Sequence, residues 1–291
     1  VRAFEEVKQE FDPAGLFNPA KIVHAPRFDD ADLMRYGPHY QPVERKVEMD
    51  WSAFKGASGG LQGAVEMCNN NGACRKLAGG TMCPSYRVTK NERDVTRGRA
   101  NTLRLALSGQ LGPDAFTSDE MKETLKLCVS CKGCRRECPT GVDMARMKIE
   151  VLAARAAKYG HTVQDRLVGW MPRYAPWASR LHGLLNLRDR IPGLAKLGER
   201  VTGFSARRRL PVWRRDVFRD DATAFGNPDG QLVVLFADTF NRYFERENLD
   251  AALQVLIAGG YRVQIAVPAD GSSRPLCCGR TFMTVGRIDE A

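Results

Sequence analysis

The absences in this sequence exclude several classes of protein. No apolar run reaches the roughly 18 residues that a membrane-spanning helix needs, so no segment is expected to cross a bilayer. The chain begins Val-Arg-Ala-Phe-Glu-Glu, with neither an initiating methionine nor the apolar region of a signal peptide. It reads as the middle of a helix, and the expectation is a piece of something longer. A net charge of +10 invites a nucleic-acid reading, but no nucleic-acid fold signature accompanies it. The excess is also uneven, since residues 161 to 221 hold thirteen Lys and Arg against six Asp and Glu. Nucleic acid is therefore not an expected partner. No substrate base stands out, so no catalytic residue is assigned. Disulfides are not expected either: seven of the nine cysteines fall in two runs, and Cys277 and Cys278 are adjacent and badly placed to bridge each other. Reduced thiols holding metal point to a reducing, cytoplasmic compartment.

What is present centres on residues 128 to 139, Cys-Val-Ser-Cys-Lys-Gly-Cys-Arg-Arg-Glu-Cys-Pro. This is C-x2-C-x2-C-x3-C-P, the bacterial ferredoxin run. Three closely spaced thiolates wrap a tight loop around three iron corners, and the fourth, stopped by proline, reaches to the other cluster of a pair. Zinc is the competing reading because C-x2-C knuckles also hold it, though four cysteines in eleven residues suit it poorly. A reaching fourth cysteine requires a second run, and Cys68, Cys74 and Cys83-Pro84 supply it. The swap assigns Cys83, Cys128, Cys131 and Cys134 to a four-iron cluster. It leaves Cys68, Cys74 and Cys138 for a second cluster, of three or four irons. Asn71 stands where that cluster's remaining cysteine is expected. The cations Arg75 and Lys76 beside the second cluster, and Lys132, Arg135 and Arg136 beside the first, are expected to raise both potentials.

Along the chain, Phe4, Val7, Lys8 and Phe11 predict a helix that Asp12-Pro13 ends. The following words, FDPxGLFNPxKIV over residues 11 to 23, resemble the closing segment of FAD-linked oxidases of the vanillyl-alcohol oxidase type. That resemblance implies FAD in a domain preceding Val1, with Asn18 and Lys21 as candidate cofactor-binding residues. The family's NPGK is here Asn18-Pro19-Ala20-Lys21, a departure at one position. Residues 24–62, with prolines at 26, 38 and 42, predict an extended connector.

Residues 63–160 read as a helical, ferredoxin-like two-cluster domain. Helices are predicted at 96–107, from Thr117-Ser118-Asp119-Glu120 onward, and at 142–159 before Gly160. The words Cys68-Asn-Asn-Asn-Gly-Ala-Cys-Arg75, Met82-Cys-Pro-Ser-Tyr86 and Thr96-Arg-Gly-Arg-Ala100 resemble the iron–sulfur half of FAD-linked D-2-hydroxyacid oxidoreductases, the D-lactate, D-2-hydroxyglutarate and glycolate oxidase-like group.

Residues 161–228 form a basic, Trp- and Pro-containing helical linker that packs on neighbouring domains or lies at a membrane interface. His161 and His182 read as structural or solvated. From residue 229, a strand at 231–237, a helix at 247–258 and a strand at 261–267 predict a parallel β-α-β unit without a glycine-rich phosphate loop. Cys277-Cys278-Gly279 resembles the Cys-Cys-Gly domains of heterodisulfide reductase-like proteins, here a partial one. Whether Cys277 and Cys278 hold metal is open.

The expected fold class is thus mixed α and α/β, a helical two-cluster domain followed by the start of a parallel β-α-β domain. The resemblance implies the electron-relay part of a D-2-hydroxyacid dehydrogenase, passing electrons from flavin to a quinone, cytochrome or other carrier, in the cytoplasm or at the inner face of the membrane. The alternatives are a stand-alone iron–sulfur electron-transfer subunit and a zinc-stabilised binding module.

Overall fold

A computed structural model describes residues 2–34, 37–55, 59–219, 224–272 and 274–291. Positions 1, 35, 36, 56–58, 220–223 and 273, which fall within the expected flavin-domain tail, connector, basic linker and cysteine-rich stretch, lie outside the described residues. Two units are distinguished, residues 1–43 and 44–291.

In the first unit, α1 (Arg2–Phe11) ends where the sequence predicts. Asp12 stops it with its side chain as well as by preceding Pro13. Its carboxylate accepts the backbone N–H groups of Leu16 and Phe17, each at 2.9 Å, and pairs with Lys8 one helical turn back. Those contacts, the Lys8 bond first, pull the Asp12 carboxyl below its ordinary range. Ala20, where the resembling family has glycine, sits at φ +57°, in the left-handed region that a Cβ disfavours.

The second unit is built on an apolar core beneath α2 (Gly60–Glu66), α3 (Pro84–Thr89), α4 (Thr96–Leu107), α5 (Asp119–Lys126), α6 (Gly133–Glu137) and α7 (Met144–Tyr159). Helical spacing sets what is buried: Leu103, Ala106 and Leu107 from α4, Met121 and Leu125 from α5, Met144, Met147 and Val151 from α7. Ser118 accepts the N–H of Met121 at the start of α5. Asp143 caps α7 through Arg146 N, which is why that helix begins at 144. Residues 47–51 of the expected connector pack on this core. The buried Glu150 receives Glu48 N at 3.0 Å, Met49 N at 2.8 Å and Trp51 Nε1 at 2.8 Å.

Beyond α7, a capping box at Thr162 and Asp165 starts α8 (Val163–Gly169), followed by α9 (Met171–Arg180), α10 (His182–Leu185) and α11 (Leu194–Thr202). Two of the tryptophans here pack inward. Trp170 donates to Glu290 at 3.2 Å and meets His161 edge-on, and Trp213 packs against Phe244 with ring centroids 4.6 Å apart. Trp177 stays exposed under Arg180. His182 contacts the carbonyl of Ser179 at 3.2 Å.

The chain closes with β1 (Phe225–Gly226), β2 (Leu232–Leu235), α12 (Thr239–Tyr243), α13 (Arg246–Ala258), β3 (Arg262–Ile265) and α14 (Arg280–Met283). The predicted β-α-β unit is present, with β2 parallel to β3 and Val233 opposite Val263. The sheet as a whole is mixed, not purely parallel, because β1 adds an antiparallel edge to β3. Gly226 makes that edge possible at φ +85°, where a Cβ would lie 2.3 Å from Tyr261 O. Among the described residues, no helix is long and apolar enough to cross a membrane.

Candidate metal centre

The two cysteine runs meet. Glu137, next to Cys138, holds Lys76 at 2.8 Å and accepts the N–H groups of Thr81 and Met82 from the first run. The Lys76 bond, aided by those amides, pulls the Glu137 carboxyl down to about 2. At Gly133 a Cβ would already crowd Thr81 at 3.2 Å, so the second run lies directly against the residues leading to Cys83.

Between the runs is a small recess, about 340 Å³ counting the space open to solvent, lined by Cys83, Cys128, Cys131 and Cys134 among others. These are the four thiols that the crossed reading assigns to one cluster. Cys83 comes from the start of α3, Cys134 from α6, and Cys128 and Cys131 from the loop between α5 and α6. Burial pushes the Cys134 thiol up to about 11. Cys83 behaves oppositely. Burial raises it too, but the Ser85 hydroxyl at 3.4 Å and the Arg99 charge outweigh burial and lower its pKa. Cys138 repeats the arrangement: burial raises it, and the Thr140 hydroxyl at 3.3 Å with the backbone N–H groups of residues 140–142 brings it down.

Arg99 is the group that sequence reasoning missed. Only 1% exposed, it donates to Thr124 O at 3.1 Å, Ser85 Oγ at 3.0 Å and Cys83 Sγ at 3.7 Å. Lys148 stands on another side and donates to Cys128 O at 2.7 Å. The donor set fits an iron–sulfur cluster, since four thiols from both runs line one recess and two half- or fully buried cations oppose the negative charge they would carry. Most of the cations named from the sequence do not serve this way. Lys132 pairs with Asp143 at 2.8 Å, Arg75 with Glu92 at 2.7 Å and Lys76 with Glu137.

Cys68 and Cys74 are the thiols of the first run that the crossed reading assigns, with Cys138, to a second cluster. Cys68 and Cys74 are both buried, and Cys74 is raised by burial first and by the nearby Cys68 to a smaller degree. Asn71 folds their loop: its Oδ1 accepts Ala73 N at 2.8 Å and its Nδ2 reaches Asn69 at 2.6 Å. Among the described residues, those of the four-thiol recess included, no three His, Cys, Asp or Glu side chains are grouped closely enough to hold one metal ion. Cys277 and Cys278 line different cavities, Cys278 sharing one with Cys128. Asn18 and Lys21 lie in the first unit, on the turn after α1.

Residues 64–142 match the 4Fe-4S dicluster domain family. Among curated proteins, the D-2-hydroxyglutarate dehydrogenase of Escherichia coli strain K12 is 27% identical over 237 residues, covering 68% of this chain and 22% of that protein. The corresponding protein of Pantoea ananatis is 26% identical, covering 62% of this chain and 20% of its own length. That of Pseudomonas putida KT2440 is 24% identical across 94% of this chain and 31% of its own length. The chain therefore spans between a fifth and a third of the relatives it matches. No solved structure matches it.

Proposed function

We propose, for a chain similar to iron–sulfur D-2-hydroxyacid dehydrogenases, that it forms the electron-relay portion of an FAD-dependent oxidoreductase acting on a D-2-hydroxyacid of the lactate, 2-hydroxyglutarate or glycolate class. Cys83, Cys128, Cys131 and Cys134 hold a four-iron cluster, and Cys68, Cys74 and Cys138 hold a second cluster of three or four irons. When bound, such clusters take up and release single electrons at potentials tuned by charge and hydrogen bonds. The chain's own residues set that tuning. Arg99 and Ser85 stabilise the Cys83 thiolate, Thr140 stabilises Cys138, and Glu137 keeps the two runs together. Asn18 and Lys21 belong to the closing segment of an FAD domain, and the reduced chain passes its electrons to a separate carrier.

The observation that carries this reading is the single cavity lined by four thiols drawn from both runs. Replacing Cys131 with Ser tests it. Anaerobic iron and sulfide analysis should show one cluster lost and the domain destabilised, because ligand binding and folding are coupled. Two cluster signals that survive Cys131→Ser unchanged contradict the assignment.

A further inference from the structure

The basic stretch after α7 plays no part in the relay proposed above, yet its arginines fall into two kinds. Arg188 pairs with Asp189, and Arg214 pairs with Asp216 and Glu247. Arg180, Arg215 and Arg219 have no ion-pair partner among the described residues. All three line one recess, about 1100 Å³ counting the space open to solvent. His182 and Tyr243 extend its polar wall, Pro176 and Val217 supply an apolar one, and no carboxylate of the described residues lines it. Two segments hold these groups in place. Phe218 is buried, its N–H donates to Arg242 O at 3.1 Å, and its carbonyl accepts Arg242 Nη1 at 3.1 Å. Val217 and Arg219, one residue to either side of it, both line the recess. Across from them Arg180 closes α9 with its guanidinium over the Trp177 ring, 4.8 Å from the centroid, a stacking that spends none of its N–H donors. His182 is fixed by Nδ1, 3.2 Å from Ser179 O; a carbonyl only accepts, so that nitrogen carries a hydrogen.

We propose that this recess binds a phosphomonoester group, carried by a soluble molecule or by a lipid headgroup. Three like charges gathered round one space repel one another, and an anion seated among them offsets that cost. The lining selects the anion. One guanidinium fork satisfies the two in-plane oxygens of a carboxylate, whereas three forks from two chain segments need an acceptor with oxygens in several directions. A phosphomonoester supplies three such oxygens and a charge of about −1.5 to −2 at neutral pH. The recess is wider than that group, and Pro176, Val217 and the Tyr243 ring offer the rest of the molecule an apolar wall. Binding here involves no electron transfer, so it holds or fails independently of the relay.

The test is isothermal titration calorimetry of phenyl phosphate into the anaerobically purified full-length protein. Saturable binding is expected, with phthalate, a carboxylate of similar charge, at least tenfold weaker. Arg215→Gln and Arg219→Gln, both at exposed positions, should each weaken phenyl phosphate about tenfold. Arg207→Gln, which removes the same charge outside the recess, should change it less than twofold. Iron and sulfide content should match the wild type in all three variants. Vesicles separate the two sources. Sedimentation with phosphatidic acid but not phosphatidylglycerol vesicles, competed by phenyl phosphate and lost in Arg215→Gln and Arg219→Gln, gives the group to a lipid headgroup. Phenyl phosphate binding without sedimentation gives it to a soluble ester. No saturable phenyl phosphate binding, phthalate binding as tightly, or Arg215→Gln and Arg219→Gln behaving like Arg207→Gln overturns the proposal.

Discussion

Arg99 Nη1 lies 3.7 Å from Cys83 Sγ, and almost none of the arginine is exposed to solvent. A buried guanidinium costs several kcal/mol of desolvation unless its donors are used. Here they are used on Thr124 O, on Ser85 Oγ and on the thiol of the crossing cysteine. The arginine therefore belongs to the centre, one layer behind the sulfur.

Replacing Arg99 with Met keeps most of its volume and removes every donor. Iron and sulfide should fall by one cluster's worth, with the other cluster's EPR signal retained. Arg99→Lys should keep part of the lost cluster, because the charge persists while the planar fork does not. Full cluster content in Arg99→Met would show that the contact is only structural.

Glu150 plays the corresponding part for packing. Its carboxylate receives three N–H groups from residues 48, 49 and 51, and Arg146 lies over the Trp51 ring, 4.3 Å from its centroid. Glu150→Ala strands those donors, so unfolding in urea should show a loss of about 3 to 5 kcal/mol. Amide exchange should quicken first over residues 47–54. A loss below about 1 kcal/mol would mean the segment is held by its apolar contacts alone.

Ala20 occupies a left-handed backbone position at φ +57°. Ala20→Gly restores the residue that the resembling family carries and relieves about 1 kcal/mol of backbone strain. Slower amide exchange across residues 12–24 is the expected readout. Faster exchange would mean that chain entropy outweighs the strain.

Much of this was legible in the sequence because it follows short-range rules. The ferredoxin spacing named the thiols, and Ser118 and Gly160 marked the helix ends that the structure has. What went unread are charged residues on apolar stripes. Arg99 is three residues after the buried Thr96 and four before the buried Leu103, and Glu150 is three after Met147. Periodicity could have flagged both as buried, but their partners lie 14 to 102 residues away, and only the fold brings them close. The paired words Cys83-Pro84-Ser85 and Cys138-Pro139-Thr140 were visible too. Their common device, a hydroxyl on the crossing thiol, needed the structure to be seen. The edge strand β1 has two residues, too few for any alternation to register.

The proposed relay of electrons from a D-2-hydroxyacid through this chain is tested by EPR on the anaerobic full-length protein after addition of D-2-hydroxyglutarate or D-lactate. The cluster signals should change to those of the reduced state on substrate addition, without any stronger reductant. Clusters that stay oxidised while the flavin is fully reduced would contradict it.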